Sequence, residues 1–146
     1  MVLKKMYIEF SRLSEYAKSL SLVFARLVVA YGFYEPAMMK WKDIDSVAQW
    51  FTSMGIFFPT LSAYIVASIE ISGVVLLTLG LFTRLISLPL IIIMIVAITS
   101  VHSIHGFSAA NNGFEIPLYY MLFLFIFIAH GAGKFSLDRL LFGERN

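Results

Sequence analysis

Four long apolar runs constrain this chain more than any other feature of its sequence. They cover about residues 20–36, 58–82, 85–103 and 116–132, and a helix needs roughly 20 apolar residues to cross a bilayer. The composition agrees, because 60% of the residues are hydrophobic and 14% are charged, against roughly 25% charged residues in soluble domains. The sequence therefore predicts an all-α membrane protein: a four-transmembrane-helix bundle with short interfacial helices, in a single integral membrane domain over residues 1–146.

Cysteine is absent from the sequence, which excludes disulfides, thiolate metal sites, iron–sulfur clusters and cysteine nucleophiles. The sequence has no haem, flavin or nicotinamide signature, and nothing in it points to a nucleic-acid partner. With three histidines, the chain is a poor electron carrier by itself. Any redox centre would therefore have to be supplied from outside the chain.

The connections before and after the first apolar run contain short helical patterns. Residues 1–19 combine cations with apolar residues at roughly helical spacing, and two interpretations stay open: an amphipathic helix on the membrane surface or a frayed basic tail. Residues 37–57 predict a second short helix lying in the interface. Asp43 or Asp45 would cap its N-terminus, and Gly55 would end it.

Lysine and arginine are distributed unevenly between the two ends of the predicted spans. Lys40 and Lys42, beside Trp41, are typical of an interfacial anchor on one side. The side that contains both termini carries eight cations: Lys4, Lys5, Arg12, Lys18, Arg84, Lys134, Arg139 and Arg145. The positive-inside rule therefore places both termini in the cytoplasm, and the loops at the other end in the periplasm of a bacterial inner membrane.

Two charged residues, Arg26 and Glu70, lie well inside the predicted spans. Glu70 shares a helix face with Ala63, Ala67 and Gly73, and small residues let membrane helices approach closely, so this face is expected to pack inward. A charge at the bilayer centre costs from about 3 kcal/mol upward and usually finds a partner. The functional hypothesis is a buried Arg26–Glu70 pair that lines a proton path or a headgroup pocket. The structural alternative is an ion pair, or a snorkelling Arg26 with a neutral Glu70.

The stretch 99–117 concentrates polar groups between the third and fourth runs. His102 and His105 would share one helix face, and Glu115 could close on them. Such a set can relay protons or bind a divalent metal. In the structural alternative, the histidines bond to loop carbonyls and Glu115 lies at a helix N-terminus. The candidate catalytic residues are thus Glu70, His102, His105 and Glu115, and the candidate ligand-binding residues are Arg26, Glu35 and Asn112.

Several segments, read in order, resemble the DoxX family of small four-span membrane proteins. The tail half carries most of the likeness, in VHSIHGF, NNGFEIPLYY and HGAGKFSLDRLL, and the region of Arg26 and the segment LTLGLFTR at residues 77–84 also match. The resemblance extends from about Phe24 to Leu140. One departure is FYEPAMMKW, where many members of the family have His-Gly before the lysine and this chain has Glu35 and Pro36.

The resemblance implies four transmembrane helices and redox chemistry near a quinone. We therefore predict a small integral membrane subunit of a redox system that acts at the quinone pool, with the polar residues handling protons. A partner redox subunit and a homo-oligomer are expected, and whether the chain is itself an enzyme is left open. The alternative is a non-enzymatic transport or scaffold protein that binds a lipid, a metabolite or a partner subunit.

Overall fold

A computed structural model describes residues 2–143 of the chain, and Arg145 of the predicted cationic tail lies outside them. Within this range the structure is all-helical, without a β-strand. The helices, which include one π turn and two short 3-10 turns, are α1 (Val2–Lys42), α2 (Ile44–Ser53), α3 (Pro59–Leu79), α4 (Thr83–Ala97), the π turn (Ile98–His102), the 3-10 turns (Ser103–His105 and Ala109–Asn111), α5 (Glu115–His130) and α6 (Leu137–Phe142).

Three helical segments are long and apolar enough to cross a membrane: Val2–Lys42, Pro59–Leu79 and Thr83–His105. These segments confirm the predicted membrane class. Helix α5 is apolar but has 16 residues, which at 1.5 Å per residue span about 24 Å. This length is shorter than the roughly 30 Å hydrocarbon core of a bilayer, so the fourth span stays a prediction.

Helix α1 differs from its prediction because it is one continuous helix of 41 residues. Neither a separate surface helix over residues 1–19 nor a span ending at Pro36 is present. The first 31 residues contain no glycine or proline that would interrupt the helix. Pro36 lies inside α1 and cannot donate a hydrogen bond to the carbonyl of Gly32, yet the helix continues for six further residues.

Helix α3 lies at the centre of the bundle, against α1, α2 and α4, and α5 packs against α4. The face predicted to point inward is buried, as Ala63, Ala67, Glu70 and Gly73 show. Side chains from α1, α3, α4 and α5 meet in one apolar core. Its buried members are Leu22, Val29, Ala30, Phe33, Leu77, Ile86, Leu90, Ile91, Met94, Leu124 and Phe127.

Helix α2 confirms its predicted cap. The side chain of Asp43 accepts hydrogen bonds from the backbone N–H of Ser46 at 3.0 Å and from its hydroxyl at 2.6 Å. Gly55 follows with φ +73°, a conformation that favours glycine. The apolar face of α2 buries Ala48 and Phe51 against Ala63 of α3, so α2 covers the N-terminal turns of α3.

The tail closes the opposite end of the bundle, where α3 turns into α4. The carboxylate of Asp138 accepts hydrogen bonds from the backbone N–H groups of Phe82 at 2.6 Å and Thr83 at 3.1 Å. Its own N–H donates to the carbonyl of Gly80 at 2.9 Å. Asp138 thereby satisfies backbone donors at the start of α4 that have no partner within that helix. We call this the hairpin end, and the end formed by α2 and residues 103–114 the loop end.

Candidate functional site

A cavity of about 950 Å³ opens in the half of the bundle nearer the loop end. Its walls come from α1, α2, α3, α4, the π turn and α5, and most of the lining side chains are apolar. This is the usual character of a small-molecule site, in which a few polar groups orient an otherwise apolar ligand. The polar side chains on its walls that can exchange protons or form several hydrogen bonds include Lys40, Glu70, His102, Asn112 and Tyr120.

A buried ion pair joins α1 to α3 at the cavity wall. The ammonium group of Lys40 lies 2.8 Å from Oε2 and 3.1 Å from Oε1 of Glu70. The side chain of Glu70 is 4% exposed and that of Lys40 is 18% exposed. Since Glu70 is near the middle of α3, the pair places two opposite charges deep in an apolar setting, where each depends on the other.

The pairing corrects two predictions. The predicted Arg26–Glu70 pair is wrong, because Glu70 bonds to Lys40. The interfacial anchor predicted for Lys40 is also wrong, because its side chain turns into the bundle and is 18% exposed. Trp41 stays 43% exposed, and its indole N–H donates to the carbonyl of Ala67 at 3.2 Å. A sequence signal for Lys40 did exist: an extra lysine in a membrane helix needs a counter-charge, and Glu70 needs one too.

Arg26 belongs to the hairpin end and does not line the cavity. It is 1% exposed, and its guanidinium donates to the carbonyls of Leu77 at 2.8 Å and Phe135 at 2.7 Å. Its Nε has no hydrogen-bond partner among residues 2–143. Gly80 makes room for this side chain, because a Cβ at that position would overlap it. Arg26 therefore joins α1 to the end of α3 and to the tail.

The two histidines are separated by a change of helix type. After Ala97 the chain passes through the π turn, where the hydroxyl of Thr99 donates back to the carbonyl of Ile95 at 2.9 Å. His102 reaches the cavity, and its Nδ1 lies 2.8 Å from the carbonyl oxygen of Asn112. His105 is exposed and does not line the cavity. The unbroken α-helix on which the shared face was predicted is absent, because α4 ends at Ala97 and the π turn and the 3-10 turn carry the two histidines; of the two, His102 reaches the cavity.

Glu115 also makes local contacts instead of closing on the histidines. Its carboxylate accepts hydrogen bonds from the N–H of Ala109 at 2.9 Å and the hydroxyl of Tyr119 at 3.0 Å. In the described part of the chain, no three His, Asp or Glu side chains are grouped so that they could hold a metal ion. The metal site left open for His102, His105 and Glu115 is therefore not formed.

The remaining predicted ligand-binding residues divide between the cavity and the surface. Asn112 lines the cavity at its loop end, with a left-handed backbone at φ +60°. Glu35 is exposed on α1 and lies outside the cavity lining. Of the seven predicted site residues, the structure thus brings Glu70, His102 and Asn112 to one cavity.

Tyr120 is a cavity residue that the sequence interpretation missed. Its ring packs on Phe33, with centroids 5.7 Å apart, and its hydroxyl end lies against Gly32, where a Cβ would overlap the hydroxyl. The useful signal was a glycine inside an apolar helix, which often marks a close approach of another side chain. Gly32 and Tyr120 both line the cavity, so this contact shapes its wall.

Together these features define an all-helical integral membrane protein with an apolar cavity and a buried ion pair at its wall. The sequence profile of the DoxX family matches residues 21–103, which is more than half of the chain. The chain belongs to the DoxX family, and the predicted resemblance is confirmed. The matched segment contains α2, α3 and α4 and ends before NNGFEIPLYY and HGAGKFSLDRLL, on which the resemblance mainly rested.

Three curated relatives support the assignment over most of the chain. A protein of Haemophilus influenzae (strain ATCC 51907 / DSM 11121 / KW20 / Rd), described as uncharacterized, is 33% identical over 83% of this chain and 83% of its own length. A second uncharacterized protein of that organism is 34% identical over 83% and 90%. A Bacillus subtilis (strain 168) protein named "Putative oxidoreductase CatD" is 30% identical over 83% and 87%. No solved structure matches the chain.

Proposed function

We propose that this protein is a small membrane component of a redox system and that its cavity binds a quinone. The observation that carries this proposal is the Lys40–Glu70 pair, an ammonium–carboxylate contact of 2.8 Å on the wall of a mostly apolar cavity. Such a cavity suits a ligand with an apolar tail and a polar, planar head. The name of the Bacillus subtilis relative supports a redox role.

The residues on the cavity wall can serve the two needs of quinone chemistry. A quinone takes up two electrons and two protons to become a quinol, so its carbonyl oxygens need hydrogen-bond donors and a proton source. Lys40 and the hydroxyl of Tyr120 are donors, and the carboxyl of Glu70 can carry a proton. His102 lies at the loop end of the same cavity, where an imidazole can exchange protons with water. The electrons would come from a partner redox subunit, since cysteine is absent and histidine scarce.

The same proposal includes four membrane crossings, with both termini in the cytoplasm of a bacterial inner membrane. The structure supports four crossings because α5 follows the third long helix and packs against α4. The distribution of cations supports the orientation: those of residues 2–18, Arg84 and the tail cluster at the hairpin end, and Lys42 remains exposed near the loop end. We further propose that the chain forms a homo-oligomer.

Native mass spectrometry of the protein in mild detergent, followed by ligand extraction, tests the proposed cavity ligand. We expect a stoichiometric quinone adduct on the wild-type protein and its loss from Glu70→Gln and Lys40→Met variants, because each removes one partner of the pair. A matched control is Glu9→Gln, an exposed acid far from the cavity, which should keep the adduct.

Two results would contradict the quinone proposal. One is a wild-type protein that carries ordinary phospholipid without quinone, also after exposure to a soluble quinone. The other is a quinone adduct of equal occupancy in all three variants, which would place the ligand outside the cavity. A stoichiometric phospholipid or metabolite that is lost in Glu70→Gln would instead support the alternative of a transport or scaffold protein.

A further inference from the structure

The N-terminal part of α1 extends past the rest of the bundle at the hairpin end. The tail residue Lys134 reaches the ring of Tyr16, 6.0 Å from its centroid, and Gly133 lies beside Leu22. Residues 2–14 continue beyond this level for about 20 Å at 1.5 Å per residue. Apart from Ser11, which is partly buried, their side chains are all exposed.

The exposed apolar side chains of this segment follow a heptad repeat. Leu3, Met6, Phe10, Leu13 and Ala17 alternate spacings of three and four residues, which correspond to positions a and d of a coiled coil. The first four of them are between 64% and 82% exposed. These residues lie beyond the apolar core formed by α1, α3, α4 and α5, so contacts within the described chain do not account for their apolar character.

The same repeat continues without interruption along the part of α1 that belongs to the bundle. Leu20, Phe24, Leu27, Tyr31 and Tyr34 keep the alternating spacing, and all five are exposed, with Tyr31 at 80%. A coiled coil is indicated by an apolar a/d repeat sustained over at least three to four heptads with charges at e and g; here the repeat runs from residue 3 to residue 34, and Glu9 is the charge at position g. We call these ten residues, from Leu3 to Tyr34, the a/d seam.

The a/d seam lies on the far side of α1 from the face that packs into the bundle. The heptad frame puts the buried residues mainly at positions c and f, which point away from a and d. Helix α1 thus has two apolar stripes, and the described structure covers one of them. The buried stripe consists of Ser19, Leu22, Arg26, Val29, Ala30, Phe33 and Ala37.

We propose that the a/d seam pairs with the same seam of a second copy of this chain, as a parallel two-stranded coiled coil. Two copies inserted with the same orientation are related by an axis along the membrane normal, so their α1 helices run parallel and present matching residues to each other. A strict seven-residue repeat also produces the left-handed supercoil in which such seams remain in contact. This interface depends on a common membrane orientation and not on quinone binding.

The charges of α1 are compatible with this pairing. Its N-terminal cations Lys4, Lys5, Arg12 and Lys18 occupy positions b and c, away from the seam. In a parallel pair, each g residue faces the e residue five positions further along the partner helix. Glu9 at position g would therefore face Ser14, and no like charges would oppose each other at any e–g contact between residues 2 and 34.

The area of the seam is sufficient for a stable dimer. Fully burying one apolar side chain removes roughly 60–120 Å² of accessible surface. Ten side chains from each of two copies would then remove on the order of 1,200–2,400 Å² from solvent or lipid. Stable interfaces bury about 1,200–2,000 Å² in total.

Disulfide cross-linking of the full-length protein in its native membrane tests the interface, because the chain has no cysteine of its own. Leu13→Cys places a thiol at position d of the seam, and Ile8→Cys provides the matched control at position f. Both residues are exposed and apolar, at 66% and 53%, and neither contributes to the core, so both variants should fold. We expect most of the Leu13→Cys protein to form a covalent dimer on oxidation and Ile8→Cys to stay at background.

Two outcomes would overturn the interface. Equal cross-linking at both positions would indicate random collision, and no cross-linking at either would indicate a monomer or an interface elsewhere. A second measurement covers the case in which the cysteines do not oxidise although the helices are in contact. Leu13→Glu should reduce the dimer fraction of the uncross-linked protein in detergent, and Ile8→Glu should not. A failed quinone experiment would leave these results unchanged, so the two proposals can be judged separately.

Discussion

Glu70 is the residue whose environment most restricts its chemistry. It is nearly fully buried in the middle of an apolar helix, and the ammonium group of Lys40 is the cation that meets its carboxylate. Trp41 holds the adjoining turn of α1 against α3 through its bond to Ala67, which keeps Lys40 within reach. The pair therefore joins the two helices and also supplies the polar groups of the cavity.

Removing Lys40 should destabilise the fold more than removing its neighbour Lys42. Lys40→Ala leaves the carboxylate of Glu70 buried without a partner, and breaking a buried ion pair in this way costs about 3–5 kcal/mol. Lys42 is exposed, so Lys42→Ala should change stability by less than about 0.5 kcal/mol. Denaturant unfolding in detergent micelles measures both.

A double variant distinguishes the cost of removing the whole ion pair from the cost of leaving one buried charge without its partner. Lys40→Met combined with Glu70→Gln removes both charges, and its loss of stability should be smaller than that of Lys40→Ala alone. Equal stability of Lys40→Ala and Lys42→Ala would show that the pair contributes nothing to the fold.

Among the elements, α2 could be predicted because all of its signals are local. Asp43 caps it, its apolar face repeats with helical spacing, and Gly55 ends it, all within 13 residues. The first and last residues of helix α1 could not be predicted in this way. Its change from a charged to an apolar composition suggests a boundary, but composition does not stop a helix whose backbone meets no glycine or proline.

The site was predicted less completely than the fold, because its contacts link distant parts of the chain. Lys40 and Glu70 are 30 residues apart, and spacing within one helix says nothing about such a contact. The prediction for the two histidines was incomplete for a different reason. It assumed an unbroken α-helix to Gly106, whereas the α-helix ends at Ala97 and a π turn and a 3-10 turn carry His102 and His105.

The cap of α2 predicts an acid-dependent change confined to that helix. The hydrogen bonds from Ser46 lower the pKa of the Asp43 carboxyl below its ordinary value. Since the folded-state pKa is lowered, this stabilisation is complete above the unfolded pKa of about 3.9 and is lost as the pH falls through the folded-state pKa.

The backbone amide of Ser46 reports this change by NMR in detergent micelles. We expect its chemical shift to titrate below pH 4 in the wild-type protein. Asp43→Asn keeps a side-chain oxygen for the cap but does not ionise, so its amide should not titrate in that range. A shift that titrates identically in both proteins would assign the change to another carboxyl group.

At the scale of the whole molecule, the bundle alternates direction at each long helix, so its two ends should be accessible from opposite sides of the membrane. Single-cysteine variants at exposed positions test this: Lys5→Cys and Lys134→Cys at the hairpin end, and Ser108→Cys at the loop end. An impermeant thiol reagent added to intact cells should label Ser108→Cys and leave the other two unlabelled.

The pattern of labelling also decides the number of crossings. If Lys134→Cys and Ser108→Cys were labelled together and Lys5→Cys were not, α5 would not cross the membrane. If Lys5→Cys and Lys134→Cys were labelled and Ser108→Cys were protected, four crossings would hold with the opposite orientation. Permeabilised cells, in which all three should react, provide the control.

The contact between Asp138 and the turn from α3 to α4 has a consequence for biosynthesis. A polypeptide is made from its N-terminus, so α3 and α4 leave the ribosome before the residue that bonds the N–H groups of Phe82 and Thr83. These N–H groups therefore have no carboxylate partner until α5 and the tail have also been made. The contact of Asp138 with the turn can form only at that stage, so the hairpin end is completed only after the tail has been translated.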